Sequence, residues 1–131
     1  MKMVKILALS ALLSAGVMAD ETLAVNMSQM ENGLNNVQKG FLYNAPTLIK
    51  SGVSEISKAN ALFHNVDASK KYLPKDKQHM GNIAFNAAKR IDTASDELIK
   101  ALNKKEYSKA SQSYSEIVNA CTACHAVVRG W

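Results

Sequence analysis

Several features are scarce or missing in this sequence. No stretch shows the alternation of apolar and polar residues that is typical of strands, which argues against a β fold. No apolar run reaches the roughly twenty residues that a membrane-spanning helix needs, so we expect no membrane span. The only two arginines, Arg90 and Arg129, are far apart in the chain. Because nucleic-acid-binding faces cluster basic residues with aromatics, we expect no nucleic acid partner.

The first 19 residues have the composition of a secretory signal peptide. Lys2 and Lys5 precede an apolar stretch at 6–17, and small residues lead to Ala19, after which we expect cleavage. The mature chain, residues 20–131, then has 112 of the 131 residues, a length that suits a single domain. Without the two signal lysines, 14 of the 16 basic residues stand against 11 acidic ones, a net charge of +3. We predict an exported, soluble protein.

The mature sequence carries apolar residues at alternating intervals of three and four, which is the period of amphipathic helices. Four helices are predicted, at about residues 22–42, 47–63, 76–102 and 107–128. Asp76 is the expected N-cap of the third helix, and the polar segment 64–75 is the longest connection. Because the other connections are short, we expect neighbouring helices to pack antiparallel. The predicted fold is all-α, an antiparallel up-down-up-down four-helix bundle.

The segment Cys121-Thr122-Ala123-Cys124-His125 has the most specific chemistry in the chain. C-x-x-C-H is the attachment signature of a c-type haem, in which two thiols bond to the porphyrin and the adjoining imidazole binds iron. On a helix, residues three and four apart share one face, so Cys121, Cys124 and His125 can meet one flat macrocycle. The motif predicts one covalent haem c, with His125 as the proximal iron ligand.

Three other uses of the two cysteines stay open at this point. A thioredoxin-type redox pair also reads C-x-x-C, but it expects an α/β context and leaves His125 without a role. A structural zinc site needs four ligands, and only His64 and His79 are left to complete one. A disulfide between Cys121 and Cys124 closes too small a loop to stabilise the fold much.

The expected topology also identifies candidates for a second axial ligand. The neighbours predicted for His125 are Met27, Met30, Phe63, His64, His79, Met80 and Ile83. A Met thioether opposite His is the usual electron-transfer pairing in c-type cytochromes. Met27 matches the depth of His125 from the end of the bundle, whereas Met30 lies about 4.5 Å deeper. We expect Met27 to be the distal ligand and Met30 to pack on the porphyrin, although methionine is also a common core filler.

Arg129 lies one turn beyond His125. We consider it a candidate partner for a haem propionate, and an arginine also suits the C-terminal end of a helix. In the longest connection, Lys70, Lys71, Lys75 and Lys77 lie at the predicted haem end. A positive rim of this kind favours an acidic redox partner. Leu48 and Leu62 are candidate residues of a homodimer interface.

These features resemble the class II c-type cytochromes, the cytochrome c-prime family. The residues that carry the resemblance are Cys121, Cys124, His125 and Arg129. The pair Asn26-Met27 is similar to the Asn-Met pair in the first helix of the soluble periplasmic b-type cytochrome with the same bundle, which implies Met27 as distal ligand. Val128 stands where c-prime sequences usually have an aromatic residue, and the first helix lacks their arginine. Both departures favour the low-spin His/Met branch.

The expectation from the sequence is a periplasmic electron carrier, not an enzyme, that exchanges electrons with redox partner proteins. The first alternative is a five-coordinate protein that binds nitric oxide, in which Met27 only shields the iron. The second is a structural or sensory bundle, or a metal-binding module without haem.

Overall fold

A computed structural model describes the backbone of residues 3–131 and the side chains of residues 21–131. This part of the chain is helical and holds no strand, which confirms the all-α prediction. The α-helices are α1 (Met3–Leu42), α2 (Pro46–Asn60), α3 (Val66–Lys70), α4 (Gly81–Asn103) and α5 (Tyr107–Arg129). Two 3-10 segments, Ala61–Phe63 and Lys75–Met80, flank α3. The predicted signal peptide, residues 1–19, lies outside the described side chains, and its cleavage stays a prediction.

Two of the helix junctions follow from local backbone chemistry. The first helix ends at Leu42, as predicted, and Asn44 then takes a positive φ of 52°. Asparagine tolerates this left-handed conformation better than most residues. Pro46 begins α2, where its missing N–H removes no helical hydrogen bond. None of the described helices is long and apolar enough to cross a membrane.

The connection between α2 and α4 differs from the prediction. The third long helix begins at Gly81, so the expected N-cap at Asp76 is wrong, and Asp76 lies inside the 3-10 segment instead. The short helix α3 was not predicted from the apolar periodicity. It begins because the Asn65 side chain accepts a hydrogen bond of 3.0 Å from the backbone N–H of Ala68. A helix of five residues is too short to show a periodic pattern.

Glycines set the distance between α1 and α2. A Cβ atom at Gly33 would lie 2.7 Å from the backbone oxygen of Gly52. Further along α1, a Cβ atom at Gly40 would lie 2.8 Å from the backbone nitrogen of Ile49. From Gly33 to Gly40 along α1, the contact on α2 moves back from Gly52 to Ile49. The two helices are therefore antiparallel. Glycine lowers helix propensity, so its presence here is explained by the close contact.

Replacing Gly52 by alanine is expected to lower the free energy of unfolding by about 1–3 kcal/mol, because the new methyl overpacks the contact. Its Cβ would lie 2.5 Å from the Gly33 carbonyl oxygen and 2.8 Å from the Val37 backbone nitrogen. Ser51→Ala, at an exposed position of the same helix, is the control and should change stability little. Chemical denaturation measures both variants. A Gly52→Ala protein as stable as the wild type would contradict the close contact.

The apolar seams of the four long helices meet in one core. The largest fully buried apolar side chains are Val37, Ile56, Leu98 and Ile117, one from each long helix. After Lys105, with a φ of 61°, the chain reverses into α5. Arg90 of α4 pairs with Glu116 of α5 at 2.6 Å on the outside of this second antiparallel pair. The buried face of the α1–α2 pair therefore packs against the buried face of the α4–α5 pair.

Candidate functional site

A cavity lies between the ends of α1, α2, α4 and α5. Each site residue proposed from the sequence lines it: Met27, Met30, Cys121, Cys124, His125 and Arg129. The two methionines come from α1 and the other four residues from α5. The fold thus brings together two segments from opposite ends of the described chain.

The wall formed by α4 is made of small residues. Ala84, Ala87 and Ala88 line the cavity together with Ile91, at the spacing of one helix face. Because alanine side chains are short, this wall brings the helix backbone close to the cavity. The connection after α2 closes another side with Phe63 and Tyr72, whose rings lie 6.2 Å apart in an edge-to-face arrangement. Most of the lining is therefore apolar.

The side chains that line the cavity carry the chemical groups that a c-type haem needs, although the cavity itself is small. Two free thiols, one imidazole, one exposed guanidinium and two thioethers converge on one space. The cavity measures about 90 Å³. Pockets that hold cofactors measure roughly 300–1,000 Å³. The cavity is smaller than such pockets, so the match to a porphyrin rests on the chemistry of the lining.

Burial sets the protonation state of the two cysteine thiols. It raises the pKa of Cys121, with a smaller contribution from the neighbouring Cys124, and it also raises the pKa of Cys124. Both groups are therefore neutral thiols at pH 7. Dithiol oxidoreductases need a lowered cysteine pKa to supply the attacking thiolate. This environment does not suit the thioredoxin-type alternative.

His125 is partly buried at the end of α5. Burial lowers its pKa, and the nearby Arg129 guanidinium lowers it further. The imidazole is therefore neutral at pH 7, which is the form that binds metal ions.

Trp131 is a contact of His125 that the sequence reasoning missed. Its ring lies edge-on to the imidazole, with 6.5 Å between ring centroids and 70° between planes. Gly130 makes this possible because it adopts a left-handed φ of 70° and turns the chain back. The backbone N–H groups of Gly130 and Trp131 both donate to the Ala126 carbonyl oxygen. A glycine directly after the last helical residue is the sequence signal for such a turn.

Comparisons with protein-family models, with curated proteins and with solved structures find no match for this chain. The assignment of the site therefore depends on its residues and their geometry.

Four of the neighbours predicted for His125 do not line the cavity: His64, His79, Met80 and Ile83. For His64, the difference arises where α2 changes into a 3-10 turn, beyond which its exposed ring lies 2.7 Å from Asp92. His79 and Met80 belong to the second 3-10 segment, and Ile83 lies at the start of α4. Among residues 21–131, no three His, Cys, Asp or Glu side chains are grouped to hold a metal ion. The zinc alternative required such a group. A haem iron does not, because the porphyrin supplies four of its ligands.

Proposed function

We propose that this chain is a periplasmic class II c-type cytochrome that carries one covalent haem c and transfers electrons without transforming a substrate. The observation that carries the proposal is the convergence of Cys121, Cys124 and His125 of α5 with Met27 of α1 on one cavity. The C-x-x-C-H motif gives three of these residues a joint role. Met27 then supplies the His/Met ligand pair that is usual for electron transfer.

The proposed architecture is an up-down-up-down bundle of four long helices. The antiparallel packing of α1 on α2 and of α4 on α5 supports it. Asn60 at the end of α2 bonds to Ala88 and Asp92 of α4, which supports packing of α2 against α4. The short α3 lies within the connection and does not add a bundle helix. Cofactor sites in such bundles lie between facing helices, as this cavity does.

Each of the six site residues proposed from the sequence has a role. When bound, the haem supplies one-electron redox chemistry at its iron. The Cys121 and Cys124 thiols would anchor it, and the His125 imidazole would hold the iron from the proximal side. Met27, which is partly buried, would hold the distal side. Arg129 is exposed and would pair with a propionate, while the buried Met30 would pack on the ring.

The surroundings of the site favour electron transfer. Both proposed axial ligands sit within long helices that pack into the shared core, so neither has to move when the charge changes. The lining is mostly apolar, which limits contact with water. The outer contacts of metal ligands tune a metal site. The Trp131 ring against His125 is such an outer contact.

The proposed partner is an acidic redox protein. Lys71 lies over the ring of Tyr72, with 5.7 Å from Nζ to the ring centroid, and Tyr72 is part of the cavity wall. Lys70 is held at 2.9 Å by Asp67 beside it. Lys71 therefore lies beside the cavity wall, which supports positive charge at the mouth of the cavity. The homodimer stays a prediction, and Leu48 and Leu62 are only partly exposed.

Absorption spectra of the mature protein, made in a host that attaches haem c, test the proposal. We expect one covalent haem per chain by pyridine haemochrome analysis and a low-spin spectrum in both redox states. The oxidised form should also show the weak long-wavelength band that the His/Met resemblance implies. A double Cys121→Ser, Cys124→Ser variant is the matched control and should lack covalent haem. A colourless wild type with both thiols open to alkylation would refute the proposal, and a five-coordinate spectrum would favour nitric oxide binding.

A further inference from the structure

The last residue of α2, Asn60, carries a fully buried amide at the edge of the cavity. Its side chain has no solvent exposure and forms part of the lining. The Nδ2 group donates to the Ala88 carbonyl oxygen and to Asp92 Oδ1, both at 2.8 Å. Because Nδ2 is the donor end of the amide, only this orientation satisfies both acceptors. The orientation of the amide is therefore set by α4.

The other end of the same amide has no partner. In residues 21–131, Asn60 Oδ1 and Ser95 Oγ are the buried side-chain atoms that lack a hydrogen bond. A buried acceptor without a partner costs free energy, and native proteins usually satisfy it. Only one of these two atoms belongs to a residue of the cavity, since Ser95 does not line it. The unpaired Asn60 carbonyl oxygen thus belongs to a residue that lines the proposed haem site.

We propose that Asn60 sets the reduction potential of this site. In this proposal the two bonds to α4 hold the Nδ2 end of the amide, and the unpaired carbonyl oxygen, its negative end, faces the cavity that Asn60 lines. In an apolar surrounding, a fixed dipole acts strongly on a nearby charge. The oxidised haem carries one more positive charge than the reduced haem, so Asn60 favours oxidation and lowers the potential. The inference rests on the proposed function.

Asp92 anchors the amide without placing a free charge in the cavity. Its Oδ1 accepts from Asn60, and its Oδ2 pairs with His64 Nε2 at 2.7 Å. The Asp92 and His64 side chains are 38% and 46% exposed, so water screens the charge of Asp92. Asp92 does not line the cavity. His64 Nε2 also lies 3.5 Å from Asn60 Nδ2, so the contacts of Asn60 with α4 and with His64 all fall on its Nδ2 end.

Replacing Asn60 by leucine tests the inference, because leucine has a similar shape and no dipole. Potentiometric titration of the visible spectrum of the holoprotein should show a higher reduction potential. We expect about a tenfold change in the one-electron equilibrium constant, equivalent to 59 mV. The matched control is Ser95→Ala, which removes the other unpaired buried oxygen and should leave the potential unchanged. If Asn60→Leu does not fold, Asn60→Ala replaces it, because the space it leaves lets water solvate the two acceptors.

The possible outcomes distinguish a failure of the Asn60 inference from a failure of the proposed function. A potential that is unchanged or lower in the folded Asn60 variant overturns the role of its dipole while covalent haem is retained. An equal shift in Ser95→Ala overturns it too, because the effect would then come from packing in general. A wild type that takes up no haem contradicts the proposed function itself, and this inference with it.

Discussion

Replacement of His125 by alanine is expected to abolish the normal holoprotein. The imidazole is the proposed proximal ligand, and α5 offers no second histidine to replace it. Without it, the iron loses the nitrogen ligand that fixes the ring beside Cys121 and Cys124. We expect a loss of the low-spin absorption spectrum and a drop of at least tenfold in covalent haem per chain, as measured by haem staining and pyridine haemochrome analysis.

The matched control for this substitution is His79→Ala. His79 is exposed and does not line the cavity, so its removal should leave haem content and spectrum unchanged. Because a ligand that binds only the folded state stabilises it, His125→Ala should also unfold at lower denaturant concentration than the wild type. A His125→Ala protein with the wild-type spectrum would contradict the proposed ligand.

Replacement of Met27 by alanine is expected to convert the haem from low spin to high spin. Loss of the thioether leaves the iron without its distal ligand, while the covalent bonds to Cys121 and Cys124 remain. Haem content should therefore stay at one per chain, and only the absorption spectrum should change. Nitric oxide should then bind to the vacated position, which the wild-type ligand pair blocks.

Met30→Ala is the matched control on the same helix, one turn deeper. Met30 is 7% exposed and belongs to the core, so its truncation should lower the free energy of unfolding by about 2–5 kcal/mol. Its low-spin spectrum should persist. If Met30→Ala converts the spectrum and Met27→Ala does not, the distal ligand has been assigned to the wrong methionine.

The parts of the fold that were predicted correctly depend on local patterns. The seams over α1, α2, α4 and α5 repeat for several turns, so their apolar faces are visible in the sequence. The end of α1 at Leu42 and the proline at the start of α2 are also local signals. The start of α4 was missed because Asp76 resembles an N-cap, whereas the chain first forms a 3-10 turn.

The candidate site was only partly visible in the sequence. Cys121, Cys124 and His125 are close in sequence, so a helix alone brings them together. Asn60 gave no signal, because a buried amide that is bonded to another helix looks like any polar residue at a helix end. Trp131 was missed although Gly130 marks the turn, since the contact depends on where that turn directs the last residue.

By itself, the sequence determined the helical class, the apolar seams and the three-residue attachment motif, because each depends on residues a few positions apart. The tertiary structure decided that Met27 and Met30 of α1 share a cavity with α5, and that His64 does not. It also decided the close contact of Gly33 with Gly52 and the burial of Asn60. These features depend on how helices from distant parts of the chain pack, and no local pattern records that packing.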